Sequence, residues 1–148
     1  MLIYKIAINE NKDTKIIIVK DPDKVKELSD LSNRLTNSKT DTFFGAKAVL
    51  MVIAPFESGY DVKYYQRNPM KNASLVMGNM LNAAYAIGVG ACWINTCEQV
   101  LESERGKQIL NQLGLGENDY YGIGFCILGY PKMLPGKKKI NENRVFTL

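Results

Sequence analysis

The stretch NASLVMGNMLNAAYAIGVGACWIN, residues 72–95, decides the fold of this chain of 148 residues. Asn72 is a favourable helix N-cap, and the residues after it are apolar on nearly every side, as in a helix buried in a core or an interface. Gly88 fits a helix C-cap, because glycine adopts positive φ without strain. Residues 91–95 then predict a short strand, so the stretch predicts a helix, a tight turn and a strand.

Two other interpretations of GVGACWINTC, residues 88–97, fail. A dinucleotide-binding fingerprint needs a third glycine where Trp93 stands, and it opens a helix after a strand, whereas this GVG follows a helix. The four residues between Cys92 and Cys97 do not match a thioredoxin-like pair. We therefore predict that Cys92 and Cys126 are buried structural cysteines, and an exposed, reactive Cys97 is left open as an alternative.

The absence of histidine restricts the chemistry that the chain can perform. It excludes Ser-His-Asp and Cys-His nucleophilic systems and every His-ligated metal site. Three scattered cysteines do not readily supply a zinc site either. The sequence therefore predicts no metal site, and if the protein is an enzyme, a cofactor rather than a catalytic side chain carries its chemistry.

The composition, with 46% hydrophobic and 23% charged residues, predicts a single globular domain over residues 1–148. We see no window with the apolar length of a membrane span and no signal peptide, and the odd number of cysteines argues against a disulfide scaffold. We therefore expect a cytoplasmic protein. The net charge of +4 is mild, and the dense run Lys137 to Lys139 predicts a solvated loop or a phosphate-binding arm rather than a nucleic-acid surface.

The remaining segments give an alternating order of strands and helices. Strands are predicted for the apolar or β-branched runs Lys15–Val19, Ala48–Ala54 and 121–131, with the tail NENRVFTL as a last strand. A helix is predicted to begin at Asp21-Pro22, and another helical region to cover 98–113 and end at Gly114. Residues 57–72 predict a long loop. The fold class is therefore mixed α/β, with helices over a mixed sheet.

Residues 72–95 resemble the central signature of the nitroreductase superfamily, the FMN-dependent NAD(P)H oxidoreductases: a buried helix, Gly-x-Gly, a small residue, then Cys, Trp and Ile. Three other segments agree in order, FFGAKAVLMVIA, IGFCILGYP and PGKKKINENRV. The resemblance implies an α+β fold with a mixed, mainly antiparallel sheet flanked by helices. The Arg-x-Ser-x-Arg and Asn-x-Gln-Pro-Trp type segments that precede the first strand in the family are not recognisable, so we expect a form truncated at the N-terminus or a divergent member.

The resemblance also implies a function. The chain would pass electrons from NAD(P)H through FMN to nitroaromatic, quinone or similar small-molecule acceptors, as a homodimer with the flavin at the subunit interface. The end of the Trp-Ile strand would lie against the isoalloxazine ring, with a backbone N–H reaching flavin N5, and the basic C-terminal segment would bind the phosphate. The implied FMN-binding residues are Trp93, Ile94, Asn95, Thr96, Lys137, Lys138 and Lys139. The alternative is a flavin-poor truncated homologue, dimeric and binding a small ligand or inactive.

Overall fold

The computed structural model describes residues 14–56, 67–133 and 136. The elements in chain order are β1 (Lys15–Val19), α1 (Pro22–Thr36), β2 (Ala48–Pro55), α2 (Arg67–Ala86), β3 (Gly90–Ile94), α3 (Cys97–Glu102), α4 (Glu104–Gln112) and β4 (Tyr120–Gly129). They confirm the predicted order of strands and helices. The predicted C-terminal strand and residues 57–66 of the predicted loop lie outside the described residues.

The four described strands form one antiparallel sheet in the order β1-β2-β4-β3. This confirms a mainly antiparallel sheet flanked by helices, and the described strands include no parallel pair. The pairing of β2 with β4 shifts where Val52 faces Gly124 and Ile53 faces Gly122, so Ile123 is the extra residue of a β-bulge. The bulge lies beside the end of β3, because Ile94 pairs with Phe125.

The central strand β2 supplies the core of both faces of the sheet. Its residues from Val49 to Ala54 are all buried, as its uninterrupted apolar sequence predicts. Successive side chains alternate between two hydrophobic clusters. Met51 and its odd-numbered neighbours pack against α1, α3 and α4, whereas Val52 and its even-numbered neighbours pack against α2. We call these the three-helix face and the one-helix face.

The start of α2 corrects one prediction. The helix begins at Arg67, five residues before the predicted cap Asn72, which is therefore a residue of the helix. Pro69 does not interrupt it, because proline is tolerated in the first helical turn, where a backbone N–H has no intrahelical partner. The predicted end is confirmed: Gly88 has φ 74°, and Val89 donates its N–H to the carbonyl of Ala84. No helix in the described segments is long and apolar enough to cross a membrane.

Candidate functional site at the end of the third strand

The four predicted ring-binding residues lie together where β3 meets α3. Ile94 is the last residue of β3, Asn95 and Thr96 form the connection, and α3 begins at Cys97. Asn95 is exposed and Thr96 is half-buried. The end of β3 is therefore held by its pairing with β4 and by the start of α3, which follows it directly. The Asn95 side chain is exposed to solvent.

Trp93 is held against the bulge of β4 by a hydrogen bond and by close packing. Its indole Nε1 donates a hydrogen bond to the carbonyl of Ile123, at 3.0 Å. The ring lies so close to Gly124 that a Cβ at that position would come within 2.5 Å of the indole Cδ1 atom. Glycine at 124 therefore gives the indole room to pack against β4, and Trp93 remains 41% exposed. The contact fixes the strand end and leaves part of an aromatic ring available to a ligand.

Gly122 fixes the start of α3 in a similar way. A Cβ on Gly122 would lie 2.6 Å from the carbonyl carbon of Cys97 and 2.6 Å from the Cα of Glu98, which is too close for real atoms. The backbone of β4 therefore packs directly against the first peptide of α3. Gly122 and Gly124 were not predicted as site residues, although two glycines in an apolar strand are a signal for close backbone approach.

Thr96 is anchored from the opposite side by α1. Its hydroxyl lies 2.6 Å from the hydroxyl of Ser32, which is fully buried. Thr96 is the N-cap residue of α3, but within the described chain its side chain accepts no hydrogen bond from that helix. Ser32 was not predicted as a site residue; it falls on the apolar stripe of α1, four residues after Leu28.

The comparisons with known proteins agree with this architecture. The Nitroreductase family model matches residues 5–130. This chain belongs to the nitroreductase family. No curated protein sequence matches it significantly.

Solved nitroreductases share its fold. A nitroreductase with bound FMN from Bacteroides fragilis NCTC 9343 is 17% identical with a TM-score of 0.80, over 99% of this chain and 84% of that one. A second one with bound FMN, from Desulfitobacterium hafniense DCB-2, is 15% identical with a TM-score of 0.76, over 99% and 84%. The NfrA1 nitroreductase from B. subtilis is 20% identical with a TM-score of 0.68, over 95% and 63%.

The cysteines of this nitroreductase-family chain correct one prediction and exclude one alternative. Cys92 is exposed rather than buried, because it lies on an edge strand of the described sheet. Cys97 is buried, because the chain turns into α3 and brings this side chain into the core, so the alternative of an exposed, reactive Cys97 is excluded. Burial raises the pKa of its thiol to about 12, against the lowering effect of a hydrogen bond from the Gly124 backbone. The prediction for Cys126 is confirmed: it is buried, and burial raises its pKa to about 11.

The chemistry of the strand end suits a neutral, planar, polar ligand. It offers the Asn95 amide, the Thr96 hydroxyl, backbone groups and part of the Trp93 ring, and Trp93 to Thr96 include no ionisable side chain. In the described segments, no three Cys, Asp or Glu side chains are grouped to hold a metal ion. The predicted phosphate-binding residues Lys137, Lys138 and Lys139 lie outside the described residues.

A groove at the other end of β3 is separate from this strand end. It has a volume of about 750 Å³ and is lined by residues that include Phe44, Cys92, Tyr130 and Lys132. None of the four predicted ring-binding residues lines it. The candidate site is therefore confined to the junction of β3, the β4 bulge and the start of α3.

Proposed function

We propose that this protein is an FMN-dependent oxidoreductase that passes electrons from NAD(P)H to nitroaromatic, quinone or similar small-molecule acceptors. The observation that carries the proposal is the β3 end itself, where Asn95 is exposed and Thr96 is anchored in a chain of the nitroreductase family. Bound FMN would supply the two-electron chemistry, which fits a chain without histidine.

The residues at the β3 end fit the edge of an isoalloxazine ring. The ring carries hydrogen-bond acceptors and donors on a flat apolar body, and the strand end offers backbone and side-chain polar groups beside a tryptophan. Backbone N–H groups of Ile94, Asn95 and Thr96 would bind the polar edge. The contact of Trp93 with Gly124 would keep these groups in place before the ligand arrives, which reduces the entropic cost of binding.

The exposed side of α2 supports the proposal of a homodimer. The inward side of this helix is buried against the sheet, yet large apolar side chains also point outward: Leu75 is 69% exposed, Tyr85 85% and, just after the helix, Ile87 54%. The helix contains no acidic residue. Apolar surface of this kind is typical of an interaction site. A second copy of the chain would cover it and would complete the flavin site at the interface.

The proposed function is tested by adding FMN to the purified protein and removing the unbound flavin. We expect about one retained FMN per chain, from the proposed site at each β3 end. We also expect oxidation of NADH or NADPH that requires both FMN and an acceptor such as a quinone or a nitroaromatic. Protein that retains no flavin and oxidises neither nucleotide would support the flavin-poor alternative instead.

The proposed phosphate contacts have their own test. Replacing Lys137 and Lys139 with alanine should weaken FMN binding by about 10- to 100-fold, since a hydrogen bond to a charged group contributes about 1.5–3 kcal/mol. The matched control replaces Lys24 and Lys107, which pair with Glu27 and Glu104 on the surface. If both double variants weaken FMN binding equally, only the net charge of the protein matters. If the Lys137 and Lys139 variant binds FMN with unchanged affinity, these lysines do not contact the phosphate.

A further inference from the structure

The hydroxyl groups of Ser32 and Thr96 are hydrogen-bonded to each other, and this bond leaves one of their two protons without an acceptor within the pair. Each hydroxyl carries one proton, and the single bond between them, at 2.6 Å, consumes only one. Ser32 is fully buried in α1, whereas Thr96 reaches the surface at the β3 end. The two residues are 64 positions apart, so the contact is made by the fold and not by local structure.

Burial decides which hydroxyl donates to the other. Among the described residues, the Ser32 hydroxyl has no hydrogen-bond partner besides Thr96. If Thr96 donated to Ser32, the Ser32 proton would be buried without an acceptor, which costs about 1–3 kcal/mol. Ser32 therefore donates to the Thr96 oxygen, and the Thr96 proton, which has no other acceptor among the described residues, is available to a group outside the pair.

The local helix does not use the Thr96 hydroxyl. Threonine at an N-cap ordinarily accepts a hydrogen bond from an N–H of the first helical turn. In the described structure no N–H of α3 donates to the Thr96 hydroxyl, whereas the next helix, α4, is capped by Ser103, whose hydroxyl accepts from the N–H of Gly106. The Thr96 hydroxyl oxygen thus accepts from Ser32, and its proton can be donated to another group.

We propose that Ser32 and Thr96 form a hydrogen-bond chain that ends on the bound flavin. Ser32 donates to Thr96, and Thr96 donates its own proton to an acceptor atom of the isoalloxazine ring. This inference rests on the proposed function and adds a side-chain donor to the backbone contacts given there. Ser32 is a positioning residue in this chain: its proton orients the Thr96 hydroxyl and strengthens its bond to the ligand, because linked hydrogen bonds polarise one another.

The test compares FMN dissociation constants, flavin absorption spectra and reduction potentials of purified variants. Thr96→Val removes the donor with little change of shape, and we expect it to weaken FMN binding about tenfold, to shift the flavin absorption bands and to change the potential. Ser32→Ala removes the buried member, and we expect a smaller effect in the same direction. Thr96→Ser keeps the hydroxyl and should therefore have the affinity, spectrum and potential of the wild-type protein.

The structure offers a matched control on the same helix. Ser29 is also buried in α1, and its hydroxyl donates to Asp41, at 2.6 Å, instead of to Thr96. Ser29→Ala should lower the melting temperature without changing FMN affinity or the flavin spectrum. Adding Ser32→Ala to Thr96→Val should have no further effect on affinity, because the chain is already broken at its ligand end.

The outcomes separate this inference from the proposed function. If the wild-type protein binds FMN and Thr96→Val has the wild-type affinity, spectrum and potential, the hydrogen-bond chain is refuted and the proposed function stands. A lowered melting temperature without those flavin changes would assign the pair a purely structural role and would also refute the chain. If the wild-type protein does not bind FMN, both proposals are wrong.

Discussion

The two faces of the sheet are covered to different degrees by the same chain. On the three-helix face, α1, α3 and α4 cover the core, and ion pairs such as Glu27 with Arg105 join the outer surfaces of α1 and α4. On the one-helix face, α2 buries one side against the sheet and exposes Leu75 and Tyr85 on the other. Within the described residues, the core of the three-helix face is covered by helices of the same chain, whereas α2 leaves large apolar side chains exposed, which is the observation behind the proposed dimer.

The comparison is tested most strongly by placing charge on each face. Replacing Leu75 and Tyr85 with glutamate should weaken the proposed dimer by at least about 100-fold, because burying unpaired carboxylates costs several kcal/mol. Sedimentation or light scattering measures the mass. The control replaces Leu35 and Leu113, 42% and 51% exposed on α1 and at the end of α4, and should leave the dimer intact. A monomeric wild-type protein, or a dimer that tolerates the first double variant, would contradict the comparison.

A second prediction concerns the glycines of β4. Gly122→Ala should lower the free energy of unfolding by about 2 kcal/mol and weaken FMN binding, because the added Cβ must displace the first peptide of α3. Gly129→Ala is the control on the same strand, where the added Cβ meets no atom within 4 Å. Denaturant unfolding measures both variants. Equal stabilities would refute the close packing of α3 on β4 that completes the three-helix face.

The thiols of the two faces give a prediction for alkaline pH. Burial raises the pKa of Cys97, on the three-helix face, to about 12 and that of Cys126, on the one-helix face, to about 11, from an ordinary 9.0. Because the folded pKa values are raised, the stabilising effect is complete below pH 9 and is lost as the pH rises toward these values. Between pH 9 and about pH 10, each thiol should cost about 1 kcal/mol of stability.

Alanine variants test this slope. Cys97→Ala combined with Cys126→Ala should flatten the fall in unfolding free energy across this range. If the slope is the same in the double variant and in the wild-type protein, the two thiols are not buried. Unequal contributions would rank the two faces by how well each excludes water.

The smallest expected effect is that of the ion pair across α1 and α4. A hydrogen bond from Arg105 lowers the pKa of Glu27, so the pair stabilises the fold above the ordinary value of 4.5 and loses this effect as the pH falls. Glu27→Gln should cost less than about 1 kcal/mol at neutral pH and nothing in acid, because the pair is partly exposed. Glu104→Gln, in a longer and more exposed pair, is the control and should be neutral. Urea unfolding at both pH values measures the difference.

The elements that depend on local sequence patterns were predicted correctly. The buried β2, the Gly88 turn and the strand after it followed from runs of apolar residues and a glycine at the right place. The start of α2 did not, because the first turn of this helix falls within the polar segment 57–72, whose sequence predicts a loop. The exposure of Cys92 was not predicted, because it depends on the position of β3 at the edge of the described sheet.

In the candidate site, too, only the residues of one local segment were predicted. The segment from Trp93 to Thr96 was identified by resemblance, and the structure places it at one strand end. Its supports were not predicted, because they come from distant parts of the chain: Ser32 lies 64 residues from Thr96, and Gly122 and Gly124 belong to another strand. A single buried serine in an amphipathic helix has no local signature that distinguishes it from a surface serine.

The most direct test of the central claim is sedimentation of the FMN-reconstituted protein, followed at the visible flavin band and at the protein band together. We expect one species with the mass of two chains that carries flavin and protein in the same boundary, with about one FMN per chain, one at each proposed β3 end. A colourless boundary with the mass of a single chain, and flavin that stays behind as free FMN, would contradict this claim.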